Sequence, residues 1–201
     1  MIPTKATEGM KKIAVYCASS TKIRQSYFDA AATVGRLLAE KQVAVITGAG
    51  NLGLMNTVQE AALRQGGTAI GVIPEFMVKE GWHHEGLTEL IVTRSMHERK
   101  QTIADLNDGC IALPGGCGTL EELLEVITWK QLGLYLKPIV ILNQEGYYDA
   151  LLAQLQTAVD EHFMRDIHSD IWRVAATPEE AVELVLNTPC WDGSIRKFAA
   201  I

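Results

Sequence analysis

The sequence is poor in several things at once, and each scarcity excludes a class of protein. Only 4 of its 201 residues are cysteine, at positions 17, 110, 117 and 190, and no two of them form a C-x-x-C pair. A disulfide framework and a CxxC zinc or redox site are therefore excluded, and reduced, structural thiols are expected. Cys17, Cys110 and Cys117 sit in or beside apolar or glycine-rich runs, which predicts burial. Basic residues are in deficit, with Lys plus Arg 18 against Asp plus Glu 24 and a net charge of −6. That balance lacks the overall positive field that grips a phosphate backbone, so no nucleic-acid partner is expected.

No apolar run approaches the ~20 residues that span a bilayer. The first twelve residues are polar, without a stretch of signal-peptide length, so no membrane partner and a cytoplasmic setting are expected. Metal-ligand spacing is also missing. His97-Glu98 opens like H-E-x-x-H, but the fifth position is Gln101, and the adjacent pair His83-His84 lies in a loop-like stretch. No metal is expected. Proline is scarce, at 6, and there is no repeat, low-complexity segment or linker, so residues 1–201 read as a single domain with 1–11 and 188–201 peripheral.

What is present is a regular alternation. Short β-branched runs recur at Ile13–Cys17, Val43–Thr47, Thr68–Ile73, Glu89–Thr93, Cys110–Leu113, Pro138–Leu142 and Ile171–Ala175, and each predicts a strand. Between them lie stretches with helical spacing, such as Leu120, Leu123, Leu124 and Ile127 at i, i+3, i+4 and i+7. Strands alternating with helices predict a parallel sheet, and runs as apolar as Ile-Val-Ile-Leu at 139–142 suit strands covered on both faces. The fold class is α/β: a doubly wound, Rossmann-like parallel sheet of about seven strands with helices on both faces.

In such a sheet ligands bind beyond the carboxyl ends of the strands, which directs attention to three loops. The first strand runs into Ala18-Ser19-Ser20, where small residues let a ligand approach the backbone, although a turn or helix-capping role suits the serines equally. The second ends in Gly48-Ala49-Gly50-Asn51-Leu52-Gly53, a literal G-x-G-x-x-G, with Glu75 downstream at about the distance of a ribose-binding acid. A dinucleotide site and a glycine turn for tight packing are both open there. The strand at Cys110–Leu113 leads into Pro114-Gly115-Gly116-Cys117-Gly118-Thr119 and then directly into a helix. Exposed backbone N–H groups and the positive end of the helix dipole make this a phosphate site. It is not a Walker loop, since no lysine follows the glycines.

Two possible capping boxes complicate the acidic residues near these loops. Thr119-x-x-Glu122 would tie the Glu122 carboxylate to a helix start, and Ser95-x-x-Glu98 would open another helix with Arg99 and Lys100 near its first turn. Two cations near a helix N-terminus oppose the dipole unless an anion is present.

Met96-His97-Glu98-Arg99-Lys100, followed by Pro114-Gly115-Gly116-Cys117-Gly118-Thr119-Leu120-Glu121-Glu122, resembles the LOG (Lonely Guy) family of cytokinin riboside 5′-monophosphate phosphoribohydrolases. The resemblance runs from the strand at Ile13 to the helix ending near Gly133 and includes Gly53-Leu54-Met55. It implies hydrolysis of the N-glycosidic bond of a nucleoside 5′-monophosphate, AMP or N6-prenylated AMP, to free base and ribose 5-phosphate, with no cofactor. It also implies a homodimer or higher homo-oligomer. Arg99 and Glu122 fall on the family's catalytic arginine and glutamate. Ser19, Gly50, Met96, Lys100, Gly115, Gly116, Cys117, Gly118, Thr119 and Glu121 are the implied substrate-binding positions. The sequence departs from the family pattern at Ala49, Asn56, Ile103 and Cys117, none of them in the catalytic pair. Residues 75–89 align poorly, so neither Glu80 nor Glu85 is assigned a role.

On this reading the phosphate sits on the N–H groups of Gly115, Gly116, Gly118 and Thr119. Glu122, in the first helical turn and charged with the help of the dipole, faces the positive charge that develops at the anomeric carbon. The alternative is a non-catalytic nucleotide-binding or carrier protein of the same fold. A pyridoxal phosphate decarboxylase is not expected, for want of a placed Schiff-base lysine and a pyridinium partner.

Overall fold

The computed structural model describes residues 9–192 and residue 194. Of the two segments expected to be peripheral, residues 1–8, 193 and 195–201 lie outside the described residues. The strands are β1 (Lys12–Tyr16), β2 (Ala44–Thr47), β3 (Ala69–Pro74), β4 (Glu89–Thr93), β5 (Gly109–Ala112), β6 (Ile139–Leu142) and β7 (Arg173–Ala175). They form one seven-stranded sheet in the order β4-β3-β2-β1-β5-β6-β7, and every neighbouring pair is parallel. Only the last strand departs noticeably from the expected bounds, because Ile171 follows a 3-10 turn over Asp166–Asp170 and precedes the ladder.

The connecting helices are α1 (Gln25–Glu40), α2 (Gly53–Arg64), α3 (Glu75–Lys79), α4 (Met96–Leu106), α5 (Cys117–Gln131), α6 (Asp149–Asp160) and α7 (Pro178–Asn187). Strand side chains alternate between the two faces, so β1 sends Ile13 and Val15 into one core with α1, α2 and α7. Its Ala14 and Tyr16 go into a second core with α4, α5 and α6. Both faces are covered, which is why the strands read as near-continuous apolar runs.

The chain winds outward from β1 to β4, then returns to the other side of β1 to lay down β5 and wind outward again to β7. The winding direction therefore reverses between β1 and β5. A crevice opens beyond the carboxyl ends of strands at such a reversal, flanked here by the loops after Tyr16 and Ala112.

Two expectations are corrected at the level of packing. The inward face of α5 is Thr119, Glu122, Leu123, Val126, Ile127 and Lys130, while Leu124 is 38% exposed. Polar residues occupy part of the buried stripe, which shifts it away from the purely apolar spacing. Cys17 and Cys110 are buried as expected, but Cys117 is exposed, since the glycine-rich loop turns it outward at the first position of α5. All four cysteines are free.

Helices α1 and α2 approach closely at Gly35, where an added Cβ would collide with the Val58 carbonyl oxygen. Val58 is backbone in a packed helix and cannot swing aside. Gly35→Ala is expected to destabilise the fold by about 1–3 kcal/mol, the usual cost of overpacking, read as a lower urea midpoint at unchanged slope.

Candidate active site

Helix α4 begins as its sequence suggests. Ser95 Oγ accepts the Glu98 N–H at 3.1 Å, and the Glu98 carboxylate accepts the N–H of Arg94 at 2.7 Å. This start fixes Arg99 and Lys100 as successive helical residues, which point in different directions. Arg99 turns toward the sheet, where Nε donates to the Val72 carbonyl at 3.1 Å and Nη1 donates to Glu122 Oε1 at 2.8 Å. Lys100 turns along α5 and pairs with Glu121 at 2.9 Å and Glu125 at 3.1 Å, one helical turn apart.

Glu122 is not a helix cap. Gly116 is the N-cap of α5 and Cys117 its first residue, so Thr119 lies inside the helix and Glu122 in its second turn. The Thr119–Glu122 capping box is thus overturned, and so is the expectation that the first-turn dipole holds the carboxylate charged. Burial pushes the Glu122 carboxyl above its ordinary pKa, opposed by the charge and hydrogen bond of Arg99. The side chains of both partners are about nine-tenths or more buried.

Gly48 explains part of the G-x-G-x-x-G string. A Cβ added there would collide with the Arg99 guanidinium, so the glycine makes room for an arginine. The N–H of Gly50 points at Met55 Sδ, 2.9 Å away, and an added Cβ at Gly53, whose φ is +64°, would collide with the Ser19 backbone. Glu75 is exposed and paired with Lys79 at 2.9 Å. These glycines therefore serve packing, which removes the basis of the dinucleotide reading.

The glycine loop after β5 is braced from below. Tyr148 donates its hydroxyl to the Leu113 carbonyl at 2.6 Å and Tyr147 to the Gly115 carbonyl at 2.8 Å. The Tyr147 ring stands edge-on to both Tyr148 and Tyr27. No side chain caps the start of α5, so its first N–H groups, which have no partner within the helix, remain as donors.

A cavity of about 380 Å³ lies over this start, walled by Ser19, Met96, Arg99, Gly116, Gly118, Thr119, Glu121 and Glu122 among others. An annex of about 240 Å³ adjoins it, sharing Ser19, Met55, Met77 and Arg99 and adding Gly50, Leu52 and Trp82. Of the residues expected to bind substrate, Ser19, Gly50, Met96, Gly116, Gly118, Thr119 and Glu121 reach these walls. Gly115, Cys117 and Lys100 do not line either cavity. Ser19 and Ser20 do not cap α1, whose N-cap is Arg24. Cys17 also lines the cavity, but burial pushes its thiol well above the ordinary range and keeps it protonated.

Sequence reasoning missed Met55, Met77 and Trp82, as well as the tyrosine brace. The one sequence signal for Trp82 was a large aromatic beside Gly81 in an otherwise polar loop.

A family model described as "possible lysine decarboxylase" matches residues 55–185. The cytokinin riboside 5′-monophosphate phosphoribohydrolase LOG5 of Arabidopsis thaliana is 40% identical over 93% of this chain and 82% of its own. The enzyme LOG of Oryza sativa subsp. japonica, which carries the same activity name, is 43% identical over 88% of this chain and 72% of its own. A molybdenum cofactor binding protein from Rippkaea orientalis superposes with a TM-score of 0.67 at 24% identity, over 88% of this chain and 96% of that one, a likeness of fold alone. A model matched over well more than half the chain, with relatives at about 40% identity along most of both sequences, makes the protein a member of the LOG family.

Proposed function

We propose that the protein is a hydrolase that cleaves the N-glycosidic bond of a nucleoside 5′-monophosphate, AMP or its N6-prenylated form, to free base and ribose 5-phosphate. The observation that carries this reading is the buried Arg99–Glu122 pair, 2.8 Å apart, opening on the cavity that also receives the uncapped start of α5. The phosphate rests on the N–H groups at that helix start, where the dipole favours an anion. It anchors the ribose, so that binding energy remote from the reacting bond positions the anomeric carbon over Glu122.

Breaking a ribosyl C–N bond builds positive charge on the anomeric carbon, and an ionised carboxylate beside it stabilises the transition state more than the ground state. Glu122 takes that role and orients the attacking water. Arg99 keeps Glu122 ionised despite burial and fixes its orientation with the rigid fork that lysine lacks. Lys100 acts one step back by holding Glu121 at the cavity wall. A carrier has use for the helix start but none for a buried carboxylate facing the same cavity.

The residues do not fit pyridoxal phosphate. The Lys100 ammonium is stabilised by its hydrogen bond to Glu121, which raises its pKa, the opposite of what a Schiff-base lysine needs. Lys130 is buried on the Lys137 carbonyl and Trp191 rather than at the cavity. We infer a cytoplasmic setting, in keeping with four free thiols, and among the described residues no helix is long and apolar enough to cross a membrane. Exposed Leu124, Leu132 and Leu134, on and just after α5, support a homodimer or higher homo-oligomer.

Incubation with AMP and with N6-isopentenyl-AMP, followed by chromatography, should show release of free base by the native protein. Glu122→Gln should lower kcat by at least about 100-fold, the scale of a lost catalytic carboxylate, in a chain that still folds but has a lower urea midpoint because the buried Arg99 charge is left uncompensated. Nucleotide binding without base release by the native chain would favour the carrier. The acid limb of kcat/KM, which reports the free enzyme, should lie above the ordinary carboxylate pKa of about 4.3, because protonating Glu122 stops the reaction and burial raises its pKa. Gly48→Ala should abolish most activity with little loss of nucleotide affinity, since its methyl evicts Arg99 and leaves the helix start untouched.

A further inference from the structure

The annex beyond Arg99 is chemically unlike the cavity it joins. Its inward surface comes largely from Leu52, Met55, Met77 and Trp82, and two of these are left uncovered, Leu52 at 56% and Trp82 at 49% exposed. Exposed apolar side chains gathered round one concave site mark a place where an apolar ligand completes the burial.

Trp82 is held there by backbone rather than by chance. Its carbonyl accepts the Asn51 N–H at 3.0 Å, and the Asn51 side-chain amide donates to the Gly81 carbonyl at 3.0 Å. On its other side His84 donates its N–H to the Ala49 carbonyl at 2.8 Å, and His83 bridges Gly50. The His84 ring accepts the Gly86 N–H at Nδ1, which leaves Nε2 to donate to Glu60 Oε1 at 2.6 Å. That bond draws the Glu60 carboxyl below its ordinary pKa and ties the loop to α2. The loop carrying Trp82 is thus docked at both ends on the 48–53 turn that floors the site.

The phosphate seat is at the start of α5 and the reacting carbon is beside Glu122, so the base points away from the seat, past Arg99, into the annex. We propose that Trp82 is the residue that sets base preference, its indole covering an apolar substituent on the base, with Asn51 and the His84–Glu60 pair as positioning residues. This rests on the phosphoribohydrolase reading and names the side chain that tunes it. Met55 and Met77 supply adaptable parts of the same lining.

The experiment measures kcat/KM for AMP and for N6-isopentenyl-AMP with the native protein, Trp82→Ala and Trp82→Phe. Trp82→Ala should lower kcat/KM for the isopentenyl substrate by about 10-fold or more, chiefly through KM, while AMP changes less than about 3-fold, the range that apolar pocket contacts discriminate. Trp82→Phe should restore most of the preference. Equal losses on both substrates, or an unchanged ratio in Trp82→Ala, would overturn the role of Trp82 and leave the hydrolase standing. Failure of the native protein to release base from either substrate would overturn the hydrolase reading and this assignment together. His84→Ala, which removes the ring's bonds to Glu60 and Gly86 and keeps the indole, should shift the same ratio in the same direction.

Discussion

Two opposite charges withdrawn from water set the terms for most of this molecule. Removing an ion from water costs several kcal/mol even after the protein relaxes, so Arg99 and Glu122 can stay buried only if nearly every donor and acceptor they carry is met. Meeting them recruits separate parts of the fold: a carbonyl within β3, a glycine after β2, the start of α4 and the second turn of α5. The pair therefore acts as a tie between both sides of the sheet reversal. A change that breaks it removes the proposed catalytic geometry and leaves an uncompensated buried charge in the same stroke.

The strands were legible in the sequence because a parallel sheet covered on both faces writes itself as β-branched runs, and six of the seven fell within a residue of the expected bounds. The glycine loop after β5 and the Ser95 cap were legible because both are local and depend on residue type at fixed spacing. Where reading failed, distance in the chain was the cause. Glu122 looked like a cap because Thr119 lies three residues before it, and it takes the helix start at Gly116 and the bond to Arg99, 23 positions away, to show otherwise. The apolar spacing of α5 pointed at Leu124 rather than at Glu122 because a paired buried carboxylate is invisible to a hydropathy pattern. Trp82 was out of reach because its place depends on backbone bonds to a turn more than thirty residues earlier.

The string Gly48–Gly53 shows how a motif can be correct as a pattern and wrong as a mechanism. In a dinucleotide site the glycines admit a pyrophosphate, whereas here the first admits a guanidinium and the last lets a helix start pass under another loop. The uncapped helix start proposed as the phosphate seat lies instead on the neighbouring side of β1, where the reversal of winding opens the crevice. The same sheet underlies a molybdenum cofactor binding protein at 24% identity, so the architecture supplies a place and the side chains supply the reaction.

The two tyrosines under the glycine loop have a mechanical consequence. Leu113 and Gly115 are held by phenols from the segment between β6 and α6, which belongs to the outer half of the sheet. The proposed anion seat is thus tied by two hydrogen bonds to that crossover, and part of its rigidity is drawn from a segment that lines neither cavity. Adaptation to heat or cold has a lever there: residues around 143–148 can stiffen or loosen the proposed seat while every cavity-lining group stays unchanged.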